Sequence, residues 1–266
     1  MTTPLLSVNN LSKTFQRRGQ RVQVVNDISF SINAGETWAL VGESGSGKST
    51  TGRLILGLTP ASGGEVWFEG QPLLGQSTRQ WQSVRREMQM IFQDPLSSLD
   101  PKRSIGYSLE EPLIIHGIAN RKVLVAEMLE HVGLRPQDAA RYPHEFSGGQ
   151  RQRIGIARAL ILKPKLIICD EPVSALDVSI QSQILNLLMS LQREYGLAYL
   201  FISHDLNVVR HIADKVGVMH RGNLVEQGES ERIFTRPAHD YTRYLLDAIL
   251  PAYPAVQDDG RAVANG

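Results

Sequence analysis

The segment that most constrains this chain is residues 42–49, which read GESGSGKS directly after the apolar run at 38–41. It fits the pattern G-x-x-x-x-G-K-[S/T], in which the glycines let successive backbone N–H groups point toward one place. A helix is predicted from Ser49 to about Leu58, and the positive end of its dipole lies at that place. A strand, a glycine-rich loop and a helix in this order predict a phosphate-binding site at the edge of a largely parallel α/β sheet.

The side chains of this loop have chemistry that suits a nucleotide and its metal ion. Lys48 supplies a point charge for the terminal phosphates, and the Ser49 hydroxyl can bind Mg²⁺. The alternative is a flexible glycine-rich turn with an incidental lysine, and the order of strand, loop and helix argues against it. The residues predicted to bind the nucleotide here are Gly42, Glu43, Ser44, Gly45, Ser46, Gly47, Lys48, Ser49 and Thr50.

A second part of the site is predicted where another apolar run, at 166–169, ends in Asp170 and Glu171. A continuous apolar run of this length is typical of a strand buried on both faces of a sheet. Its end would deliver Asp170 to the Mg²⁺ shell, while Glu171 could polarise an attacking water. Alone, the two acids would more often be exposed groups at a strand end. Beside a phosphate-binding loop, they are predicted to act on the nucleotide.

The pattern along the chain predicts one α/β domain over residues 1–250 and a flexible polar tail at 251–266. A Pro-punctuated, helical stretch at about 94–162 interrupts the α/β pattern. The predicted fold class is α/β: a P-loop NTPase core with a largely parallel sheet, an N-terminal antiparallel β subdomain and an inserted helical subdomain. Strands are predicted at 5–15, 22–25, 28–32, 38–41, 65–68, 166–169, 197–202, 216–220 and 224–226, and helices at 49–58, 108–116, 121–132, 149–162 and 180–195.

Charge and cysteine content argue against several classes of function. The 28 basic and 27 acidic residues give a net charge of +1, so no strong field favours nucleic acid or an anionic membrane as the main partner. Cys169 is the single cysteine, so we expect neither a disulfide nor an iron–sulfur cluster held by this chain alone. We also expect no signal peptide in residues 1–10 and no spanning helix of about 20 apolar residues, so a membrane role would need a partner.

Residues 146–150, which read FSGGQ, resemble the signature of ABC ATPases, usually written LSGGQ. A serine and two glycines at the start of a predicted helix form a second anion site with its own dipole. An ordinary helix N-cap would explain the serine but not the other motifs that accompany it. The resemblance implies that Ser147, Gly148, Gly149 and Gln150 bind nucleotide.

Further segments resemble ABC ATPase motifs in the family's order, so the resemblance covers about residues 5–250. Gln93 lies in a segment similar to the Q-loop. Asp177 lies in one similar to the D-loop, and the resemblance implies that it also binds nucleotide. His204 follows a predicted strand at the place of the family's switch histidine. Phe15 stands where the family has an aromatic ring, more often tyrosine, that stacks on adenine.

The resemblance implies an ATPase that binds ATP with Mg²⁺ and works as a head-to-tail pair of such domains. Each ATP would lie between the P-loop of one domain and the signature of the other, which explains why one chain carries two anion sites. Gln93 would connect the site to the helical subdomain and so to a membrane partner. The implied metal ligands are Ser49, Gln93 and Asp170, and the implied catalytic residues are Lys48, Gln93, Glu171 and His204.

Residues 92–101 and 236–246 resemble, more finely, the ATPases of oligopeptide, dipeptide and nickel importers. Asp240 is a mild departure, because the family usually has proline there. Many relatives also have a cysteine-rich extension with an iron–sulfur cluster, and this chain lacks it. The resemblance implies a peripheral subunit on the cytoplasmic face of the inner membrane. Its partners would be a second ATPase, two transmembrane permease subunits and, indirectly, an extracytoplasmic solute-binding protein.

The sequence argues against the alternatives to import. ABC ATPases that act on DNA or ribosomes tend to have long coiled coils, zinc cysteines or tandem ATPase domains, and this chain has none of them. An inactive module would lack a catalytic group, whereas Lys48, Asp170, Glu171 and His204 are all present. An exporter is disfavoured by residues 92–101. The solute carried, and whether the paired ATPases are identical, stay open.

The stretch from 94 to 107 is predicted to transmit movement to the permease. Leu96, Leu99, Ile105 and Tyr107 would supply apolar contacts to a short cytoplasmic helix of that partner. The alternative is a surface loop whose apolar residues pack only on its own helices.

Overall fold

The computed structural model describes residues 3–17 and 19–249 of the 266-residue chain, so the predicted tail at 251–266 lies outside the described residues. The strands described are β1 (Leu6–Arg17), β2 (Gln20–Ile32), β3 (Thr37–Val41), β4 (Gly63–Phe68), β5 (Gln71–Pro72), β6 (Met88–Ile91), β7 (Leu166–Asp170), β8 (Ala198–Ser203), β9 (Lys215–His220) and β10 (Asn223–Glu229). The helices described are α1 (Lys48–Ile55), α2 (Thr78–Glu87), α3 (Ile105–Ile115), α4 (Arg121–His131), α5 (Gly148–Leu160), α6 (Val178–Tyr195), α7 (Leu206–Ile212), α8 (Ser230–Thr235) and α9 (Asp240–Ile249).

The larger sheet has the strand order β10-β9-β3-β8-β7-β6, and all neighbours from β9 to β6 are parallel. Strands β3, β7 and β8 are buried along their whole length, as expected for a parallel sheet covered on both faces. Alternate side chains belong to different apolar clusters: Leu40 packs with Leu54 of α1, and Ala39 packs on the face that holds α6 and α7. The carboxyl ends of β3, β6, β7 and β8 therefore meet at one edge.

A smaller antiparallel sheet, with the order β2-β1-β4-β5, forms the N-terminal layer. Strand β2 joins two segments that were predicted as separate strands. The pairing of β1 with β2 absorbs register shifts between Val8 and Leu11 and onward to Thr14. Asp27 adopts a φ of 52° there, and its N–H donates to Ser12 Oγ at 3.0 Å, so the irregular backbone is satisfied without breaking the strand. The predicted α/β class with this antiparallel layer is confirmed.

Helices α3, α4 and α5 pack on one another through the buried Leu109, Leu113, Leu129 and Ile154. Helix α3 starts earlier than predicted because the Ser104 side chain caps it, accepting from the Tyr107 N–H at 3.3 Å. Across the described part of the chain, no helix is long and apolar enough to cross a membrane.

Helices α2, α7, α8 and α9 and strands β5 and β6 were not predicted. Helix α2 is mostly polar, and it is fixed at its start by Ser77, whose N–H donates to Gln80 Oε1 at 2.9 Å. Helix α7 has seven residues and is capped by Asp205. Short or polar helices of this kind have little apolar periodicity, so capping and tertiary contact decide them.

The structure contradicts two of the predicted permease contacts. Leu99 is 6% exposed and Ile105 is fully buried, so their prediction as contact residues is wrong. The Leu99 N–H donates to Leu96 O at 3.1 Å and closes the turn at Pro95–Ser98, after which the Leu99 side chain packs into the core. Leu96 and Tyr107 remain exposed, at 41% and 44%.

Candidate nucleotide-binding site

The loop between β3 and α1 has a backbone that requires glycine at two points. Gly42 and Gly47 have φ values of 143° and 109°, in the region that favours glycine. A Cβ atom at Gly42 would lie 2.1 Å from Met219 O, and one at Gly47 would lie 2.5 Å from Val24 O. The loop is therefore pressed against the neighbouring strands, and its shape is fixed by close backbone packing.

Lys48 lies inside this loop, with only 4% of its surface exposed. Its Nζ donates to Gly42 O at 2.7 Å and to Glu43 O at 2.9 Å. An ammonium group has three N–H bonds, so one is left for an anion in the loop. Burial lowers the pKa of Lys48 below its ordinary value of 10.5, and the charge of Glu171 is the largest effect opposing this.

Ser49 and Asp170 form an oxygen pair at the ends of two different elements. Ser49 Oγ donates to Asp170 Oδ1 at 2.7 Å, and the carboxylate is 4% exposed. Burial raises the pKa of Asp170, and the hydrogen bond from Ser49 opposes that rise. A hydroxyl and a carboxylate are ligands that suit Mg²⁺, which keeps much of its own water shell. The donor set therefore fits the predicted metal, although no group of three or more His, Cys, Asp or Glu with metal-binding geometry occurs among the described residues.

Glu171 connects the ends of three parallel strands. Its N–H donates to Ile202 O of β8 at 2.9 Å. Its Oε2 accepts from Gln93 Nε2, beyond β6, at 3.1 Å, and its Oε1 lies 3.2 Å from His204 Nδ1, beyond β8. Gln93, Glu171 and His204 line a cavity of about 470 Å³ together with Gly42, Glu43 and Ser44 of the loop. The structure thus brings the predicted catalytic groups together around a space beside Lys48.

The predicted signature lies on another element. Ser147 caps α5: its Oγ accepts from the Gln150 N–H at 3.4 Å, while the Ser147 N–H donates to Gln150 Oε1 at 3.0 Å. No hydrogen bond of the described residues connects this segment with the loop at 42–50. Gly148 is close to Leu176, the residue before Asp177, so the two motifs are neighbours.

Phe15 lies near the end of β1 and is 39% exposed. The Nζ atom of Lys13 is 4.8 Å from its ring centroid. An exposed ring with a cation nearby can offer a face to an adenine base.

The site includes residues that no motif marked as functional. The hydroxyl of Tyr241, on α9, accepts from the Glu43 N–H at 3.4 Å, and Leu245 lines the same cavity as Glu171. Ser174 Oγ lies 3.5 Å from Gln93 Nε2. The only sequence signal for Tyr241 was its place in the segment 236–246 that resembles importer ATPases.

Comparison with solved structures defines the class of protein. The cbiO1 protein of Clostridium perfringens, part of the ABC transporter complex cbiONQ, matches with a TM-score of 0.78 and 27% identity, over 88% of this chain and 91% of that one. The ATP-binding cassette MJ0796, solved as a dimer bound to ADP and Pi, matches with a TM-score of 0.77 and 28% identity, over 85% of this chain and 98% of that one. The fold is that of an ATP-binding cassette domain.

The family model described as ABC transporter matches residues 25–174, and the chain belongs to this family. It is 53% identical over 272 residues to the glutathione import ATP-binding protein GsiA of Escherichia coli (strain K12), covering 98% of this chain and 44% of that protein. It is also 53% identical over 262 residues to GsiA of Salmonella paratyphi A, covering 95% of this chain and 42% of that protein. The chain thus spans less than half the length of these relatives. The predicted resemblance to importer ATPases is confirmed.

Proposed function

We propose that this chain binds and hydrolyses ATP to drive an ABC importer of peptides, nickel or related small solutes across the cytoplasmic membrane. The observation that supports this most directly is the position of Glu171. Its carboxylate is held between Gln93 and His204 and faces the cavity beside Lys48. A carboxylate held in this way can orient a water for attack on a terminal phosphate.

Each part of the site has one role in this proposal. The backbone N–H groups of the loop and the free N–H of Lys48 bind the phosphates, and Phe15 stacks on the base. Ser49, Asp170 and Gln93 would hold Mg²⁺, which would supply positive charge to offset the negative charge of the phosphates. Glu171 accepts a proton from the attacking water or orients it. His204 contacts the γ-phosphate and holds Glu171 in place.

The remaining part of the site comes from a second ATPase domain in a head-to-tail dimer. Ser147, Gly148, Gly149 and Gln150 of each chain would contact the ATP bound by the other, next to Asp177. Support comes from the dimeric structure of the similar MJ0796. We further propose that residues 1–250 form one ABC domain, with the helical subdomain at about 94–162.

The relatives' names support a proposal for the class of solute, and the importer assignment implies the partners. Because they are glutathione import proteins, we assign a small peptide of the glutathione class as the preferred solute. The chain would lie on the cytoplasmic face of the membrane, where two permease subunits bind it, and a solute-binding protein would deliver the solute on the other side. An exporter or a soluble DNA- or ribosome-acting complex is the alternative.

A groove between α2–β6 and α3–α5 is the proposed docking place for a permease segment. It has a volume of about 720 Å³, and its walls include the exposed Leu58 and Ile115 and the basic Arg79 and Arg85. Gln152 Nε2 is buried on this groove without a hydrogen-bond partner in the described part of the structure. An amphipathic helix with apolar residues, a carboxylate and an acceptor for Gln152 would fit these walls.

The proposal is tested with the Glu171→Gln variant, which keeps the shape of the side chain and removes its charge. We expect ATP to bind, and turnover in the assembled complex to fall by about 100-fold or more, the size of a general-base contribution. Glu127→Gln, an exposed acid-to-amide change on α4, is the matched control and should hydrolyse ATP normally. Near-normal turnover by the Glu171→Gln protein would contradict the proposal.

A further inference from the structure

The C-terminal helix α9 lies against the phosphate-binding loop. The Glu43 N–H donates to the hydroxyl of Tyr241 at 3.4 Å. One turn further along α9, Leu245 lines the cavity that also contains Glu171 and His204. The helix therefore contacts both the loop and the space in front of the catalytic groups.

The ring of Tyr241 is held in a defined position. It stacks on His220 with ring centroids 3.8 Å apart and an interplanar angle of 13°. His220 ends β9 and directly follows Met219, whose carbonyl is the close neighbour of Gly42. Strand β9 pairs with β3, the strand that leads into the loop. The Tyr241 hydroxyl is thus attached to the same rigid framework that supports the loop.

The start of α9 is also anchored. The carboxylate of Glu226, which is 8% exposed on β10, accepts from the Ala238 N–H at 2.8 Å and the His239 N–H at 3.0 Å. Leu245 and Leu246 are buried against the core at the other end of the helix. Helix α9 is therefore held at both ends, and the position of Tyr241 does not depend on the single contact with Glu43.

The peptide groups around Glu43 are bound from two sides. Lys48 Nζ donates to Glu43 O at 2.9 Å, and the Tyr241 hydroxyl accepts from the Glu43 N–H. A nucleotide can use the third N–H of Lys48 without breaking the contact on the carbonyl side. The contact with Tyr241 uses the N–H at the entrance of the loop and leaves the N–H groups further along it to the phosphates, so it can persist in the bound state.

We propose that Tyr241 is a positioning residue of the nucleotide site, which holds the entrance of the phosphate loop through the Glu43 N–H. This inference rests on the proposed ATP binding by the loop. Tyr241 does not touch the reacting atoms, so its hydroxyl governs how tightly ATP binds and not how fast bound ATP reacts. Helix α9 is by this reasoning a part of the nucleotide site.

The test compares Tyr241→Phe with Tyr244→Phe. The first variant keeps the stacked ring and removes only the hydroxyl. The second removes the hydroxyl of a tyrosine on the same helix that is 62% exposed and lies 6.5 Å, ring to ring, from Tyr241. We expect Tyr241→Phe to weaken ATP binding and raise KM by about three- to tenfold, the usual range for one hydrogen bond, with kcat within about twofold. Tyr244→Phe should match the wild-type protein.

A second readout needs no nucleotide. Amide hydrogen exchange at residue 43 in nucleotide-free protein should accelerate in Tyr241→Phe and stay unchanged in Tyr244→Phe, at equal melting temperatures. Unchanged exchange and unchanged ATP affinity in Tyr241→Phe would overturn the positioning role, and so would a loss of kcat at unchanged affinity. If exchange at residue 43 is faster in Tyr241→Phe but the wild-type protein itself binds no ATP, the loop contact is supported. The proposed function is then contradicted instead.

Discussion

His204 Nδ1 lies 3.2 Å from Glu171 Oε1, although the two residues follow different strands, β8 and β7. The Glu171 backbone has a φ of 49°, which costs energy for a residue with a side chain. The Glu171 N–H bond to Ile202 O and the side-chain contacts with His204 and Gln93 hold it there. Groups of the protein itself therefore hold the carboxylate in position.

His204 should affect hydrolysis far more than binding. In His204→Ala, Glu171 loses one of its two side-chain contacts, while the phosphate loop is unchanged. We expect kcat to fall by about 100-fold or more, in the range known for positioned acid–base groups, with ATP affinity within about threefold. Single-turnover hydrolysis and nucleotide titration measure the two effects. His211→Ala, on the exposed side of α7, is the control. Equal turnover of the two variants would contradict the assigned role.

The depressed pKa of Lys48 predicts that ATP affinity decreases in alkaline solution. Because its pKa is lowered, the ammonium loses its proton at a pH below the ordinary lysine pKa of 10.5. The phosphates then lose their positive partner, so affinity falls. Over the same window the folded protein binds fewer protons than the unfolded chain, so this group's contribution to the free energy of unfolding rises with pH.

The variant Lys48→Arg separates these effects, because a guanidinium stays protonated across the whole range. We expect its ATP affinity to be lower at neutral pH but flat as pH rises toward 10.5, while the wild-type affinity declines below that pH. Nucleotide titrations at a series of pH values provide the measurement. A parallel decline in both proteins would assign the pH dependence to another group.

Phe15 should bind adenine by stacking and not through the edge of the base. Phe15→Tyr keeps the ring and should bind ATP as well as the wild-type protein does. Phe15→Ala removes it, and the loss of about 1–3 kcal/mol expected for one stacked base corresponds to a roughly 5- to 150-fold weaker affinity. Titration with a fluorescent ATP analogue measures this. If Phe15→Ala and the wild-type protein bind equally, the ring does not contact the base.

The sequence could predict the arrangement around Asp170 and Ser49 because the physical causes are local. Apolar runs define buried parallel strands, and such strands bring their carboxyl ends to one edge. The contact of Tyr241 with Glu43 joins residues almost 200 positions apart, and no pattern along the chain reveals it. Apolar character alone also did not separate Leu96 from Leu99, since the turn at Pro95–Ser98 decides which side chain faces inward.

This difference in burial predicts a large loss of stability on substitution of Leu99 and a small one on substitution of Leu96. Leu99→Asp would bury a charge at a position that is 6% exposed, so the free energy of unfolding should fall by about 3 kcal/mol or more. Leu96→Asp, at 41% exposure, should change it by less than about 0.5 kcal/mol. Urea denaturation of both variants decides between them. Similar losses would show that Leu96 is also a core residue in solution.

The last prediction concerns coupling to the permease, for which the exposed Leu96 and Tyr107 are the appropriate probes. Cys169 is completely buried, and burial raises its thiol pKa, so the native thiol should be inert toward cross-linkers. Cysteines placed singly at residues 96 and 107 should therefore react alone. In the assembled transporter, we expect each to cross-link to a cytoplasmic loop of the permease, with a yield that changes when ATP binds.

The matched control is a cysteine at Val123, on α4, which is 57% exposed but lies outside the segment 94–107 predicted to contact the permease. It should react with a small thiol reagent but give no permease adduct. Transport by each variant must be measured as well. A cysteine should impair transport at a contact that transmits movement to the permease, and it should leave transport unchanged at an incidental contact. If positions 96 and 107 form no adduct and both variants transport normally, the permease binds to another surface of this chain.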